Sequence, residues 1–342
     1  MISIVVPCFN CANSIQKTID SLLNQTYGDY EVVLVNDGSK DETGTVLDEV
    51  AGRDSRVRVI HQSNGGLLNA WKAGVRGANG DYILFCDADD YIEKNTIEVL
   101  EQKLQANPAD IVLYGYLFEY EDGSQVLSRF RLDGGYYDRS RLENDILPRL
   151  FSDGTMESML IPFSRWSKLF SKKLLMKVLD SLDDRVSIGE DAITNLATIL
   201  NADSLLVLDD FYPYHYVRNS ASMIGSYDER CFEKLELLYR SLSSIGQLYG
   251  YKNRDQIAAG FLSVAFIFMK KEICRNPKGK LDSTKKLRDF RESSEVSEAL
   301  SLTSVDDYKL MSRIFAKLII NNHFNLAYVI TRAAAGAGAG KD

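Results

Sequence analysis

The densest chemistry in the sequence is Asp87-Ala88-Asp89-Asp90, three carboxylates in four residues. Neighbouring carboxylates repel one another, and a divalent cation among them lowers that cost. Mg²⁺ and Mn²⁺ take oxygen ligands, typically one or two carboxylates completed by phosphate oxygens. Such a site suits a diphosphate leaving group. The plainer alternatives are a cap for the next helix or solvated charge. Three further polar clusters accompany it: Pro7-Cys8-Phe9-Asn10, Asn36-Asp37-Gly38-Ser39 and Asn64-Gly65-Gly66. Each alone reads as a turn.

What joins them is the pattern of elements around them. Residues 3–6, 31–35, 57–60, 82–86 and 111–116 read as strands, the second and fourth as continuous apolar runs of the kind buried on both faces. Between them, Ile15, Ile19, Leu22 and Leu23 form a helical stripe capped by Asn13 or Ser14. Residues 43–50, 67–75 and 96–104 also read as helices. Repeated β-α-β units predict a mostly parallel sheet with right-handed crossovers. Ligands of such sheets bind outside the carboxyl ends of the strands, and all four polar clusters follow a strand. Residues 117–225 are mixed and rich in aromatics and turns. From about residue 228 to 332 the pattern is helical, with Leu235, Leu238, Leu242 and Ile245 on one stripe. The alanine-glycine tail, 333–342, reads as flexible.

Composition narrows the class. The formal net charge of -8 excludes the basic balance of a nucleic-acid binder. The longest apolar run, residues 257–269, is shorter than the roughly 18–20 residues a membrane span needs and reads as a buried helix. Five scattered cysteines, with one lone C-x-x-C at Cys8 and Cys11, complete no zinc site. With no charged n-region at the start, the chain reads as a reduced, cytoplasmic protein. No G-x-G-x-x-G follows the first strand, which argues against a dinucleotide-binding oxidoreductase.

The runs VVPCFN, NSIQKTIDSLLNQTYGDYEVVLVNDGSKDET, NGG and GDYILFCDADD, in that order and spacing, resemble a family 2 glycosyltransferase with the GT-A fold. The segments Arg165-Trp166-Ser167-Lys168-Leu169-Phe170, Ile188-Gly189-Glu190-Asp191 and Tyr214-His215-Tyr216-Val217-Arg218 fit the family as well. The resemblance implies an inverting transfer from a nucleotide-sugar, with a UDP-sugar expected. Pro7, Phe9 and Asn10 would hold base and ribose, and Asp37 would accept a hydrogen bond from the base. Asn64, Lys72 and Ala88 join the donor side, and Asp87 would reach the ribose or diphosphate. Asp89 would bind Mn²⁺ or Mg²⁺, with His215 completing the metal shell or touching the diphosphate. Arg218 would neutralise phosphate charge. Asp191 would be the general base, with Glu190 beside it positioning the acceptor, and Trp166 would border the acceptor if it is not simply packed. Asp191 stands before the apolar stripe Ile193, Leu196, Ala197 and Leu200, so it can also be a first-turn acid that the helix dipole stabilises. The chain departs from many relatives at Ala12, where they have Glu, and at Trp71-Lys72, where they have Arg-Asn. Trp71 is more simply core, and His61 and His323 read as structural or exposed.

The expected organisation is a GT-A α/β domain over 1–225, with a nucleotide-sugar half at 1–115 and an acceptor half at 116–225, followed by helices at 226–332. The acceptor implied is a lipid-linked or polymeric glycan of a bacterial surface polysaccharide. That would place the protein peripherally at the inner membrane face. Residues 311–330, with Ile314, Phe315, Leu318, Ile319 and Phe324 near one face, offer a peripheral membrane helix, a homodimer contact or ordinary packing. A phosphatase of the haloacid-dehalogenase type also places D-x-D after a strand, but on its first strand. A non-catalytic scaffold that kept the fold has no chemical need for Asp87, Asp89 and Asp191 together.

Overall fold

The structure is a computed structural model that describes residues 1–128, 131–151, 160–218, 227–306 and 308–338. The chain divides into two compact units, Met1–Asn144 with Pro162–Asn219, and Asp145–Ile161 with Ser220–Asp342. The sheet-bearing unit thus lacks residues 145–161, which cluster with the helices.

The first unit begins with the alternation expected. The elements are β1 (Ile2–Cys8), α1 (Ile15–Leu23), β2 (Tyr30–Asp37), α2 (Thr43–Arg53), β3 (Val57–Gln62), α3 (Leu67–Gly77) and β4 (Tyr82–Phe85). Then come β5 (Tyr91–Ile92), α4 (Thr96–Ala106), β6 (Ile111–Tyr114), β7 (Tyr116–Glu119), β8 (Gln125–Ser128), β9 (Gly135–Asp138) and the short α5 (Arg139–Arg141). The unit closes with β10 (Lys168–Ser171), α6 (Lys172–Val178), α7 (Glu190–Asn201), β11 (Ser204–Leu208) and β12 (Tyr214–Val217). The main sheet has the order β3-β2-β1-β4-β10-β6-β11-β9. β1, β2, β3 and β4 are mutually parallel, with Ile2 opposite both Tyr30 and Tyr82. β10 enters antiparallel between β4 and β6. The chain therefore winds outward from β1 in both directions, and the crevice at that switch point is where such sheets bind ligands.

The apolar runs explain the core. Every residue of β2 is buried, including Asp37 at its end. α3 lies close to the sheet because Gly74 has no side chain, and a Cβ there would collide with Val5. Ser14 does occupy the N-cap of α1, but its hydroxyl donates to the Cys11 carbonyl instead of capping. Asp87-Ala88-Asp89-Asp90 caps no helix, since the N-cap of α4 is Asn95. The second sheet, β5-β12-β7-β8, is a feature the sequence patterning did not reveal.

The second unit is helical. It comprises α8 (Cys231–Leu248), α9 (Arg254–Arg275), α10 (Lys280–Arg291), α11 (Ser294–Leu302), α12 (Leu310–Ile320) and α13 (Phe324–Gly338). The long apolar run lies in α9, whose Phe261, Leu262, Phe266 and Met269 are buried. Among the described residues, no helix is long and apolar enough to cross a membrane. The segment 311–330 breaks at Asn321 into two helices, and Phe315, Ile319 and Phe324 of its stripe face inward. Residues expected to start a flexible tail at Ala333 instead continue α13 as far as Gly338. Alanine has the highest helix propensity of any residue, which offsets the intervening glycines.

Candidate active site

The loops after β1, β2 and β3 pin one another. Gly38 adopts φ +69, and a Cβ there would lie 2.6 Å from the Asn64 nitrogen. That close turn aims Asp37 under the next loop. Its Oδ1 accepts from Gln62 Nε2 at 2.7 Å and Gly65 N at 2.8 Å, and its Oδ2 from Gly66 N at 2.9 Å. Asn64 Nδ2 in turn donates to the Asp37 carbonyl. Asp37 and Asn64 thus act first on each other's loops, not on the open side where a base was expected. Asn10 sits at φ 50, its Oδ1 accepting from Lys40 N and its own N donating to Ser39 Oγ. Held there, Phe9 stays half exposed at 49% beside the half-buried Pro7, so the aromatic face is open to a flat ligand.

The turn after β4 separates its three acids. Asp90 is buried, accepting from Tyr214 Oη at 2.6 Å and Val217 N at 2.8 Å. Burial and then Asp87 push its carboxyl up to about 8. Tyr214 Oη also receives the Asp87 N–H at 3.1 Å, so one hydroxyl braces the turn at both ends. Asp90 is therefore an anchor. Asp87 is half-buried, Ala88 lies between, and Asp89 is exposed. Burial raises Asp87 to about 7, with Arg165 pulling it down and Asp191 and Asp89 pushing it up.

Those neighbours come from distant segments. Gly189, at φ 76, sets the start of α7, and Glu190 and Asp191 fill its first turn. Arg165, on a short 3₁₀ turn at Arg165–Ser167, is 4% exposed. Its Nη1 lies 2.5 Å from Asp191 Oδ1 and 3.9 Å from Glu190 Oε1. Trp71 and Phe85 floor it, their ring centroids 5.3 and 5.9 Å from the guanidinium carbon. Glu190 rises to about 7, by burial first, then by Asp191. Lys168, fully buried, donates to the carbonyls of Pro162 and Ser164 at 2.6 and 2.7 Å, and burial pushes its ammonium down to about 7. Asp87, Asp89, Glu190 and Asp191 thus share one electrostatic neighbourhood around a single buried guanidinium. The sequence reading did not single out Arg165. The only trace of it was the segment 165–170.

Three expected ligands are turned elsewhere. Lys72 is 3% exposed, donates to the Leu182 carbonyl and pairs with Asp184, so its charge is spent within the protein. Trp71 beside it is core, as expected. His215 Nε2 meets Glu93 Oε1 at 2.8 Å, its Nδ1 lies 3.5 Å from Glu119, and its ring stacks on Tyr91. That occupies Nε2, and Nδ1 is buried without a hydrogen-bond partner. Arg218 lies over the rings of Phe118 and Tyr120. Trp166 is 9% exposed and stacks on Tyr214 and Tyr216 at 4.4 and 5.4 Å, a packed residue at the rim of the site.

Asp89 and Asp87 suit a hard divalent cation. They are oxygen donors, and Asp89 is exposed while the acids beside it are crowded. Among the described residues no group of three or more acids, histidines or cysteines forms a complete metal cage. A cation here would take its remaining ligands from a bound diphosphate and water.

Comparison with known proteins bears on the family and the fold. Residues 3–158 match the profile of Glycosyl transferase family 2. The glycosyltransferase EpsJ of Bacillus subtilis, itself uncharacterized, is 29% identical over 321 residues, 91% of this chain and 89% of that one. The hyaluronan synthase of Pasteurella multocida is 46% identical over 99 residues, which are 29% of this chain and only 10% of the synthase. The crystal structure of S. aureus TarS 1-349 in complex with UDP-GlcNAc superposes with a TM-score of 0.67 at 21% identity, over 98% of this chain and 92% of that one. Its likeness shows the fold, a GT-A sheet followed by helices. Residues 3–158 carry the signature of glycosyl transferase family 2, and transfer of a sugar from a nucleotide-sugar donor is the activity these likenesses support.

Proposed function

We propose that the chain is an inverting, metal-dependent transferase. It moves a hexose from a UDP-sugar to a hydroxyl of a lipid-linked or polymeric glycan during assembly of a cell-surface polysaccharide. The observation that carries this reading is the Arg165–Asp191 pair, which sets a carboxylate beside the Asp87–Asp89 turn. In a single displacement one base suffices, and Asp191 takes the acceptor proton as the hydroxyl attacks. Arg165 fixes the side chain of Asp191, and Glu190 lines the acceptor side. Asp89, with Asp87, would hold Mn²⁺ or Mg²⁺. Such a cation supplies Lewis-acid stabilisation of the departing diphosphate. Phe9 and the Asn10 loop offer the base its face. Support for UDP comes from the TarS complex, and support for a polysaccharide product comes from the hyaluronan and chondroitin synthases among the relatives. A glycan on a lipid carrier would bring the enzyme to the inner membrane face.

The test is thermal unfolding with UDP, GDP, CDP, dTDP and ADP, each with Mn²⁺, with Mg²⁺ and with EDTA. Ligand in about 100-fold excess over its Kd adds about 2.7 kcal/mol. Stabilisation by UDP that needs metal, and is lost in Asp89→Asn, is the expected result. No stabilisation by any of the five overturns the donor reading and favours a non-catalytic scaffold.

A further inference from the structure

The second sheet presents one face whose rings run outward from the acid turn. Strand alternation puts Tyr214, Tyr216 and Arg218 of β12 and its end on that face. Their partners in register are Tyr116 beside Tyr214 and Phe118 beside Tyr216, with Tyr120 following. The inner end is closed. Tyr214 is fully buried against Asp90, and Trp166 covers it. The outer end is not, for Tyr216, Phe118 and Tyr120 are each half-buried and Arg218 is exposed. Among the described residues the Tyr216 hydroxyl has no hydrogen-bond partner, although its strand neighbour Val217 is bonded to Asp90. The rings are already ordered. Phe118 meets Tyr216 edge to face at 5.8 Å and Tyr116 at 5.1 Å.

Arg218 is the second observation. Its guanidinium carbon lies 5.4 Å from the Phe118 centroid and 5.6 Å from that of Tyr120. Among the described residues it has no carboxylate partner. Arg165, Lys72 and Lys17 are by contrast committed, to Asp191, Asp184 and Glu119. A ring face draws the C–H groups of a sugar, because the quadrupole makes that face negative. A guanidinium held near aromatic rings remains free to give paired N–H donors to a carboxylate or phosphate.

We propose that this face binds the acceptor, a glycan carrying an anionic group. Its sugar rings lie along Tyr216, Phe118 and Tyr120, and its carboxylate or phosphate lies on Arg218. The proposal rests on the transfer site assigned to Asp87, Asp89 and Asp191, since the platform leads away from that turn. Tyr216, nearest the turn, orients the accepting sugar through its unpaired hydroxyl. Arg218 stands one sugar further out and selects for charge. The role given to Arg218 is therefore on the acceptor and not on the donor diphosphate.

The experiment measures affinity by calorimetry on the full chain loaded with UDP and Mn²⁺. Three tetrasaccharide probes are compared: a neutral N-acetylglucosamine tetramer, one alternating uronate with N-acetylhexosamine, and one carrying a phosphomonoester. One charge-assisted pair predicts that an anionic probe binds about tenfold more tightly than the neutral one. Which of the two binds names carboxylate or phosphate as the group. Arg218→Gln, at an exposed position, brings that probe down to the neutral level, whereas Arg218→Lys retains part of the preference. Tyr120→Ala weakens all three probes, and UDP affinity stays within about twofold in every variant. Equal affinity for charged and neutral probes overturns the proposal, and so does a preference that survives Arg218→Gln. If UDP itself does not bind, the transfer reading falls as well. If UDP binds without glycan discrimination, only the platform falls.

Discussion

Asp37 and Asp191 are the same residue type at the same end of the same sheet unit, and the structure treats them in opposite ways. Asp37 receives two backbone N–H groups and an amide, all between 2.7 and 2.9 Å. Asp191 has one short ion pair with Arg165, no hydrogen bond to its buried Oδ1, and other acids around it. A carboxylate whose lone pairs are filled by backbone holds a shape. One left with a single counter-ion in a crowd of like charge is available for chemistry, and perturbed acids around it are what an active site requires. The loops after β2 and β3 are thus satisfied by their own hydrogen bonds, while the cluster at β4 and α7 keeps its polarity unspent.

The sharpest way to break that contrast is at Asp191. Asp191→Asn should lower turnover by about a thousandfold, the scale of a lost general base, with UDP affinity unchanged. Sugar-transfer kinetics beside UDP calorimetry would show it, and a matching loss of UDP binding would put Asp191 on the structural side. Arg165→Met comes next. It leaves buried acids without their cation and should cost about 3 kcal/mol in urea unfolding as well as activity. Asp37→Asn should cost about 2 kcal/mol, because an amide nitrogen then faces a backbone N–H, and UDP affinity should fall with the loosened 64–66 loop. A smaller effect follows pH. The Glu190 carboxyl is raised to about 7 in the folded state from an ordinary 4.5. The folded state therefore binds the extra proton, and this group's contribution is present below pH 4.5 and lost as pH rises through 7. Glu190→Gln should match wild type in melting temperature at pH 4 and exceed it at pH 8. The smallest effect is expected at His215. If Glu93 and Tyr91 are its partners in solution, His215→Gln leaves the Mn²⁺ dependence of UDP binding within about twofold. A tenfold loss would return it to the metal shell.

Much of the fold was legible because periodicity reports burial. The all-buried β2 and the striped α1 leave that signature directly. The second sheet left none, since β5 has two residues and β7 is half-buried throughout. Asp37, Asp87 and Asp89 gathered at one edge because strand ends converge whatever their rotamers. Lys72 and His215 show the limit. Sequence places a residue on an element but does not say which neighbour its side chain finds, and Asp184 and Glu93 come from segments no spacing rule connects to them. Arg165 was hidden for the same reason, since a buried arginine and a solvated one are spelled alike.

β10 lies antiparallel between β4 and β6. Antiparallel neighbours such as β6 and β10 can be joined by a two-residue turn. This chain spends residues 115–167 on the journey, and that stretch includes β9 at the outer edge of the main sheet. The cost of closing such an excursion rises slowly with its length. No strand of that stretch pairs with β1 to β4, so those four are nearly indifferent to the length of β7 and β8. β7, β8 and their aromatic residues can be lengthened, shortened or exchanged while β1 to β4 keep their register. On the proposed acceptor face, the choice of glycan would be a replaceable cartridge in a fixed frame.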